Sequence, residues 1–252
     1  MKLAIVSDLH LNSINLSDAF FQETADVLLI AGDTCESRHL KKFDKVFKRI
    51  CNCYEQVFII CGNHEFYYNF HSDTLEQFEK FTKKFSNLQF LNNEVVDFLN
   101  GYRLIGSTLW TDCNKQNPIT MNAVKTAVDD YKLIKILDPH YRKLQPADTV
   151  KLHKENIQFI TEYLNHDKII MLTHHAPTLM GCYNNQGDYA FASDLSDLIL
   201  NNPQIKYWFH GHTHNSIEYE VGNCKIISNQ RGYSHEQFKD VYESFIPKII
   251  EI

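Results

Sequence analysis

The stretch Gly62-Asn63-His64-Glu65 follows an apolar run over residues 57–61 that reads as a buried strand. Gly62 lets the chain turn sharply where that strand stops. Asn63 offers a neutral amide oxygen, a hard ligand for a metal. His64 offers an imidazole that can hand over a proton near neutral pH. The carboxyl ends of strands are where open α/β sheets build their sites. The pair gains meaning only if other strand ends supply matching groups.

Four other strand ends do. Residues 2–6 form a short strand that runs into Ser7-Asp8-Leu9-His10, and an extended chain points Asp8 and His10 to the same side. Residues 27–31 form a second buried strand, followed by Gly32-Asp33. Residues 168–172 lead to Thr173-His174-His175, and residues 207–209 to His210-Gly211-His212-Thr213-His214. The candidate donors are therefore Asp8, His10, Asp33, Asn63, His174, His212 and His214. They are rich in imidazole and carboxylate and contain no thiolate. That set suits a borderline divalent metal such as Mn²⁺, Fe²⁺ or Zn²⁺ rather than Ca²⁺ or an iron–sulfur cluster. Seven donors exceed one ion's needs unless a carboxylate bridges two.

The elements that must position these residues read as alternating strands and helices. Helices are expected over 16–24, 38–51 and 73–85, with apolar residues such as Leu75, Phe78 and Phe81 at helical spacing. The order β-α-β-α-β is that of a parallel sheet. Residues 88–91, 95–98 and 102–106 read as short strands. Residues 120–137 look helical, and Pro139 and Pro146 break the stretch after 137. Helices are expected over 149–164 and 193–200. Residues 217–221 and 224–228 flank Gly222-Asn223, a two-residue hairpin signal.

Composition narrows the class. The 252 residues carry no Pro/Gly/Ser-rich linker and no repeat, so one domain over 1–252 is expected, with 107–148 forming a cap. No apolar run approaches the ~18 residues of a membrane span, so no membrane partner is expected. The start resembles no signal peptide, and the seven cysteines form no zinc pattern. A cytoplasmic location with reduced thiols is the resulting expectation. The net charge of −6, without a basic block, argues against a large nucleic-acid footprint. His39, His71, His140, His153, His166 and His235 are expected at the surface. His175 and His210 are expected to support neighbouring donors.

The five motifs, in order from residue 8 to residue 214, resemble those of the calcineurin-like metallophosphoesterase superfamily. They are Asp8-x-His10, Gly32-Asp33, Gly62-Asn63-His64-Glu65, His174 and Gly211-His212-x-His214. The resemblance implies a four-layer αββα sandwich, an α/β fold with its site at strand ends between two halves. It implies two divalent metal ions, with Mn²⁺ expected and Fe²⁺ or Zn²⁺ as alternatives. One would be held by Asp8, His10, Asp33 and His214, the other by Asp33, Asn63, His174 and His212, with Asp33 bridging. His64 would be the catalytic histidine near the leaving group. A hydroxide between two ions, roughly 3.5–4 Å apart, would attack phosphorus in line without a covalent intermediate.

Departures from the family's branches carry information too. The protein Ser/Thr phosphatase branch has Gly-Asp-x-x-Asp-Arg-Gly at the second motif. Here Gly32-Asp33-Thr34-Cys35-Glu36-Ser37 lacks the Asp-Arg pair, and Arg38 falls one position late. The Asp that orients the catalytic histidine in that branch has no counterpart here. The runs from Gly106 to Asp112, Thr173 to Pro177 and Asn229 to Tyr233 resemble bacterial and phage phosphoesterases instead. A small phosphorylated substrate is therefore expected, with nucleotide-like phosphodiesters favoured. The alternatives are a phosphomonoesterase or a metal-dependent nuclease on single-stranded nucleic acid, the latter requiring a basic groove. A non-enzymatic metal-binding scaffold would have lost a donor or His64, and none is lost. Specificity is expected from residues 110–148 and 178–192, with Trp110 either a stacking group or core. The motifs leave the oligomeric state open.

Overall fold

The computed structural model describes residues 1–252 apart from 14, 23–24, 99, 181, 183–184 and 237–242. Thirteen strands appear among the described residues. They are β1 (Lys2–Val6), β2 (Val27–Ile30), β3 (Gln56–Ile59), β4 (Leu88–Phe90), β5 (Glu94–Asp97), β6 (Arg103–Ser107), β7 (Lys135–Leu137), β8 (Tyr141–Lys143), β9 (Ile169–Thr173), β10 (Ile205–His210), β11 (Glu218–Val221), β12 (Cys224–Ser228) and β13 (Lys248–Glu251). One large sheet has the order β13-β1-β2-β3-β4, a second β11-β12-β10-β9-β6-β5, and β7 and β8 pair as a separate two-stranded sheet. Pairing is parallel from β1 to β4 and from β12 to β6. The antiparallel strands β13, β11 and β5 lie at edges.

The alternation of side chains along each strand explains the layering. Leu3, Ile5, Leu29 and Phe58 of the first sheet face Leu104, Ile170, Leu172, Phe209 and Ile227 of the second. The opposite faces carry their own apolar sets. Ala4, Val6, Leu28, Ile30, Val57 and Ile59 meet Phe47 and Ile50 of the helix Asp44–Cys53, and Phe78 and Phe81 of the helix His71–Thr82. Ile105, Ile169, Met171, Trp208 and Ile226 meet Ile160 of the helix Pro146–Glu162 and Ile199 of the helix Ser196–Leu200. Helix, sheet, sheet, helix is the four-layer sandwich expected from the motifs.

Several local expectations change. The helix expected over 16–24 is a single 3₁₀ turn, Asp18–Phe21, with residues 23–24 outside the described set. The helix over 38–51 splits into a 3₁₀ segment, Ser37–Phe43, and the helix Asp44–Cys53. The helix over 120–137 breaks into Pro118–Ala127, a turn at Asp130–Leu133, and strand β7. The break at extended Val128 turns Asp130 toward Asn63, a tertiary contact that helical periodicity cannot register. Pro146 starts a helix rather than ending one, because its missing N–H costs nothing in a first turn. Residues 181 and 183–184 of the expected specificity segment lie outside the described residues.

After β12 the chain runs beside the end of β1. Ser7 bonds Asn229 and Arg231 through its backbone, and Gly232 N–H donates to Asp8 O at 3.1 Å. This return stitches the second sheet to the first and carries Tyr233 to Asp8 and His10. Among the described residues no helix is long and apolar enough to cross a membrane.

Phe209 sits fully buried between the sheets, next to the loop that bears His212. Phe209→Ala should destabilise the fold by about 3–5 kcal/mol, read as a lower urea midpoint with an unchanged slope.

Candidate metal centre

All five motifs meet at the carboxyl ends of β1, β2, β3, β9 and β10. Asp8, His10, Asp33 and His214 each place a donor atom within 4.8 Å of the others, and so do Asp33, His174 and His212. Asn63 Oδ1 lies 3.0 Å from His174 Nε2. All seven expected donors are therefore gathered, and Asp33 belongs to both groups. Six are buried, with His214 partly exposed.

The backbone is bent to make this possible. Asp8, His10, Asp33, His212 and His214 all have positive φ, between 42° and 70°. Non-glycine residues enter this region at a cost of about 1–3 kcal/mol each and persist only where surrounding structure holds them. Glycine provides the close approach. A Cβ on Gly62 would sit 2.2 Å from Asp33 Oδ1 and 2.5 Å from His174 Cε1.

What holds two of the loops is Glu65. Its buried carboxylate accepts N–H bonds from Asp33 at 2.9 Å, Thr34 at 2.6 Å, Cys35 at 3.2 Å and Gly62 at 2.6 Å. Burial pushes this carboxyl up to about 7, against four donors that favour the ionised form. Four amide donors to one anion make a strong clamp. Sequence reasoning left Glu65 without a role, although its place in the Gly-Asn-His-Glu run was the available signal.

The hydrogen bonds also fix which way each donor faces. His174 Nδ1 meets the carbonyl of Ala31 at 2.8 Å, and a carbonyl can only accept. Burial lowers the His174 pKa, which favours the neutral ring with its lone pair on Nε2. The Asn63 amide nitrogen donates to Asp130 Oδ1 at 2.7 Å, leaving Oδ1 toward His174. Two acceptors thus face each other at 3.0 Å, with the Asp33 carboxylate 3.4 Å away. Asp33 Oδ2 is buried with no hydrogen-bond partner among the described residues. Lone pairs converging on one point repel unless a cation lies among them. The donor set therefore fits divalent metal.

Further residues orient the donors. His214 Nδ1 lies 2.6 Å from Glu236 Oε2, which points its Nε2 toward Asp8 at 3.4 Å. Burial lowers the His214 pKa, but Asp8 and Glu236 outweigh it and push the value up to about 9. His212 N–H donates to both oxygens of Asp8, at 3.2 and 3.1 Å. Carboxylate-backed imidazoles are a common support for metal ligands. Asp130 and Glu236 carried no signal in the sequence.

His64 stands apart from the seven. Its Nε2 lies 3.9 Å from Asp33 Oδ2 and 2.8 Å from the Tyr233 hydroxyl. Its ring packs on Tyr67, with centroids 4.1 Å apart. His175 is buried beside the His212 ring at 4.4 Å, and His210 is buried with Nδ1 3.0 Å from Gly211 O. One histidine expected at the surface is not there: His153 is buried against the Trp110 carbonyl. The half-buried His71 stacks on Phe66 at 4.6 Å. Trp110 itself is only 2% exposed and packs near Phe66 and His175, which makes it core.

A two-sheet α/β sandwich whose strand ends gather imidazoles and a shared carboxylate defines a metal-dependent hydrolase. Residues 1–216 match the model of the calcineurin-like phosphoesterase family, and the chain belongs to that family. It is a metal-dependent phosphoesterase, from a family that uses two metal ions. An uncharacterised protein of Acanthamoeba polyphaga mimivirus is 34% identical over 267 residues, covering 93% of this chain and 92% of its own. Among solved structures, the phosphopantetheinyl hydrolase of Mycobacterium tuberculosis superposes with a TM-score of 0.79 at 12% identity, covering 99% of this chain and 95% of that one. A dimetal phosphatase from Danio rerio has a TM-score of 0.56 at 12% identity, covering 90% and 86%. These two likenesses are of fold.

Glu65→Gln keeps the size but turns an amide N–H₂ toward backbone donors. It should cost about 2–4 kcal/mol of stability in chelated protein, because buried donors lose their anion. Metal affinity should fall with it. Denaturant unfolding with chelator, followed by metal titration of the folded fraction, measures both.

Proposed function

We propose that the protein hydrolyses small nucleotide-like phosphodiesters, with Asp8, His10, Asp33 and His214 holding one divalent ion and Asp33, Asn63, His174 and His212 the other. The convergence of acceptor lone pairs around Asp33 carries this reading. Bound there, such ions supply Lewis acidity toward phosphoryl oxygens and lower the pKa of water. Manganese suits the mixed imidazole and carboxylate set, with iron or zinc as alternatives.

Charge favours a diester. Asp8 and Asp33 line the centre, and Asp130 and Glu236 stand directly behind its donors. Four carboxylates cancel the charge of two divalent ions, so a substrate with less negative charge is favoured. A diester brings one negative charge at neutral pH, whereas a monoester brings up to two. The half-exposed rings of Tyr233 and Phe191, the latter 5.0 Å from His212, offer flat apolar surface for a nucleoside.

His64 acts on the leaving group. It lies beside the seven donors without being needed by them, and its ring reaches the edge of the site. Its task is to give a proton to the departing oxygen.

One observation favours a nuclease as a second reading. A cavity of about 590 Å³ between the 3₁₀ segment Ser37–Phe43 and the helix His71–Thr82 is lined by Arg38, Lys41, Lys80 and Lys84. Lys80 and Lys84 already pair with Glu76 and Asp44. A turnover screen of metal-reconstituted protein separates the readings. Aryl and nucleoside diesters should turn over faster than monoesters, and single-stranded DNA should be left intact. Preferred cleavage of DNA, or of monoesters, would overturn the diester assignment.

Metal analysis of active protein should find two ions per chain, and exhaustive chelation should abolish turnover. Asp33→Asn should cost more activity than Asn63→Ala, because it removes charge from both positions at once. Full turnover with one ion would refute the shared role of Asp33.

His64→Ala should keep both ions and lose ~10²–10⁴-fold in kcat/KM on an ester with an alkoxide leaving group. That is about 3–5 kcal/mol of barrier. A nitrophenyl ester should lose far less, since nitrophenolate departs without a proton. Equal losses on both esters would remove the acid role.

A further inference from the structure

We propose that Tyr233 is the positioning residue of His64. The inference rests on the leaving-group role of His64 and adds what holds that imidazole in place. The Tyr233 hydroxyl lies 2.8 Å from His64 Nε2, the ring nitrogen that faces Asp33. No other side-chain hydrogen bond to the His64 ring occurs among the described residues. The remaining contacts of that ring are faces and edges, from Tyr67 at 4.1 Å and His10 at 4.6 Å.

Tyr233 is itself held on several sides. Its ring stacks on His10 at 4.3 Å and 25°, meets His214 edge-on at 4.8 Å, and stacks on His235 at 5.5 Å. Its backbone N–H donates to Glu236 Oε2 at 2.8 Å, the same oxygen that His214 meets. The return of the chain along the end of β1 sets the backbone just ahead of it. A phenol so fixed has two rotatable bonds and one free choice, the direction of its hydroxyl hydrogen.

A hydroxyl both donates and accepts. With Tyr233 on Nε2, the proton given to the leaving oxygen must come from Nδ1, and the hydroxyl accepts from Nε2–H before and after the transfer. A carboxylate would accept too but would favour the charged ring. Tyr233 thus keeps His64 aimed before and after it gives up its proton. The run Asn229-Gln230-Arg231-Gly232-Tyr233, which had no chemical role in the sequence, ends on this residue.

Tyr233→Phe removes the hydroxyl and keeps the stacked ring. On a nucleoside diester kcat should fall by ~10-fold or more, a fraction of what general-acid help supplies. KM, metal content and melting temperature should stay unchanged, and a nitrophenyl diester should lose less than about two-fold. In a His64→Ala background the same substitution should have no further effect, because coupled residues are not additive. In metal-free protein, the His64 imidazole ¹⁵N resonances, identified by their loss in His64→Ala, should move in Tyr233→Phe. A full Tyr233→Phe loss in the His64→Ala background, or unmoved His64 resonances, would overturn the assignment. Loss of bound metal would make Tyr233 a support for His10 instead and overturn it equally. These failures differ from that of the acid role, which shows as equal losses on both esters in His64→Ala alone.

Discussion

The whole site depends on a buried carboxylate that touches no candidate metal position. Glu65 accepts four backbone N–H groups, three from the loop after β2 and one from the loop after β3. Those amides belong to Asp33 and its successors and to Gly62. Without an acceptor there they would be buried and unpaired, at a cost of about 1–3 kcal/mol each. The clamp fixes the distance between two loops and lets Asp33 take a positive φ. Asp33 in turn accepts the His64 N–H at 2.9 Å, which brings the third motif into register with the second.

Around that clamp the protein stores unfavourable arrangements that metal ions would relieve. Five of the seven candidate donors sit in left-handed backbone, and acceptors face acceptors at about hydrogen-bond distance. Asp33 is pushed well above the usual carboxylate range by burial, then by Glu65 and Asp8. Rigid sheets on both sides resist relaxation. This is the expected form of a preorganised centre, built on strand ends and supported by groups behind the donors. Asp130 and Glu236 do for Asn63 and His214 what Glu65 does for the loops: each removes a rotational choice.

The motifs were legible because each lies at the end of an apolar strand, where sequence and geometry are tightly linked. A strand of known direction ends at one edge, so Asp8, Asp33, Asn63, His174 and His212 could be placed together from local signals. The supporting residues were not legible. Asp130 reaches Asn63 only because a helical pattern breaks at Val128, and nothing local marks that break as necessary. His153 is buried against the Trp110 carbonyl, although an imidazole reads locally as surface. The edge strand β13 lies far from β1 in the chain and pairs with it only after folding.

The sequence by itself therefore determined the sheet-and-helix class, the family motifs and the seven candidate donors, because those rest on periodicity and on chemistry carried by single side chains. The tertiary structure alone decided what orients them. Whether Glu65 clamps two loops, whether Asn63 turns its oxygen inward, and which residue faces His64 all depend on contacts between segments far apart in the chain. Tyr233 and His64 are separated by 169 residues and meet at 2.8 Å. Spacing along a chain carries no information about such a contact; it arises when two sheets pack and the strand returning from one runs beside the end of the other.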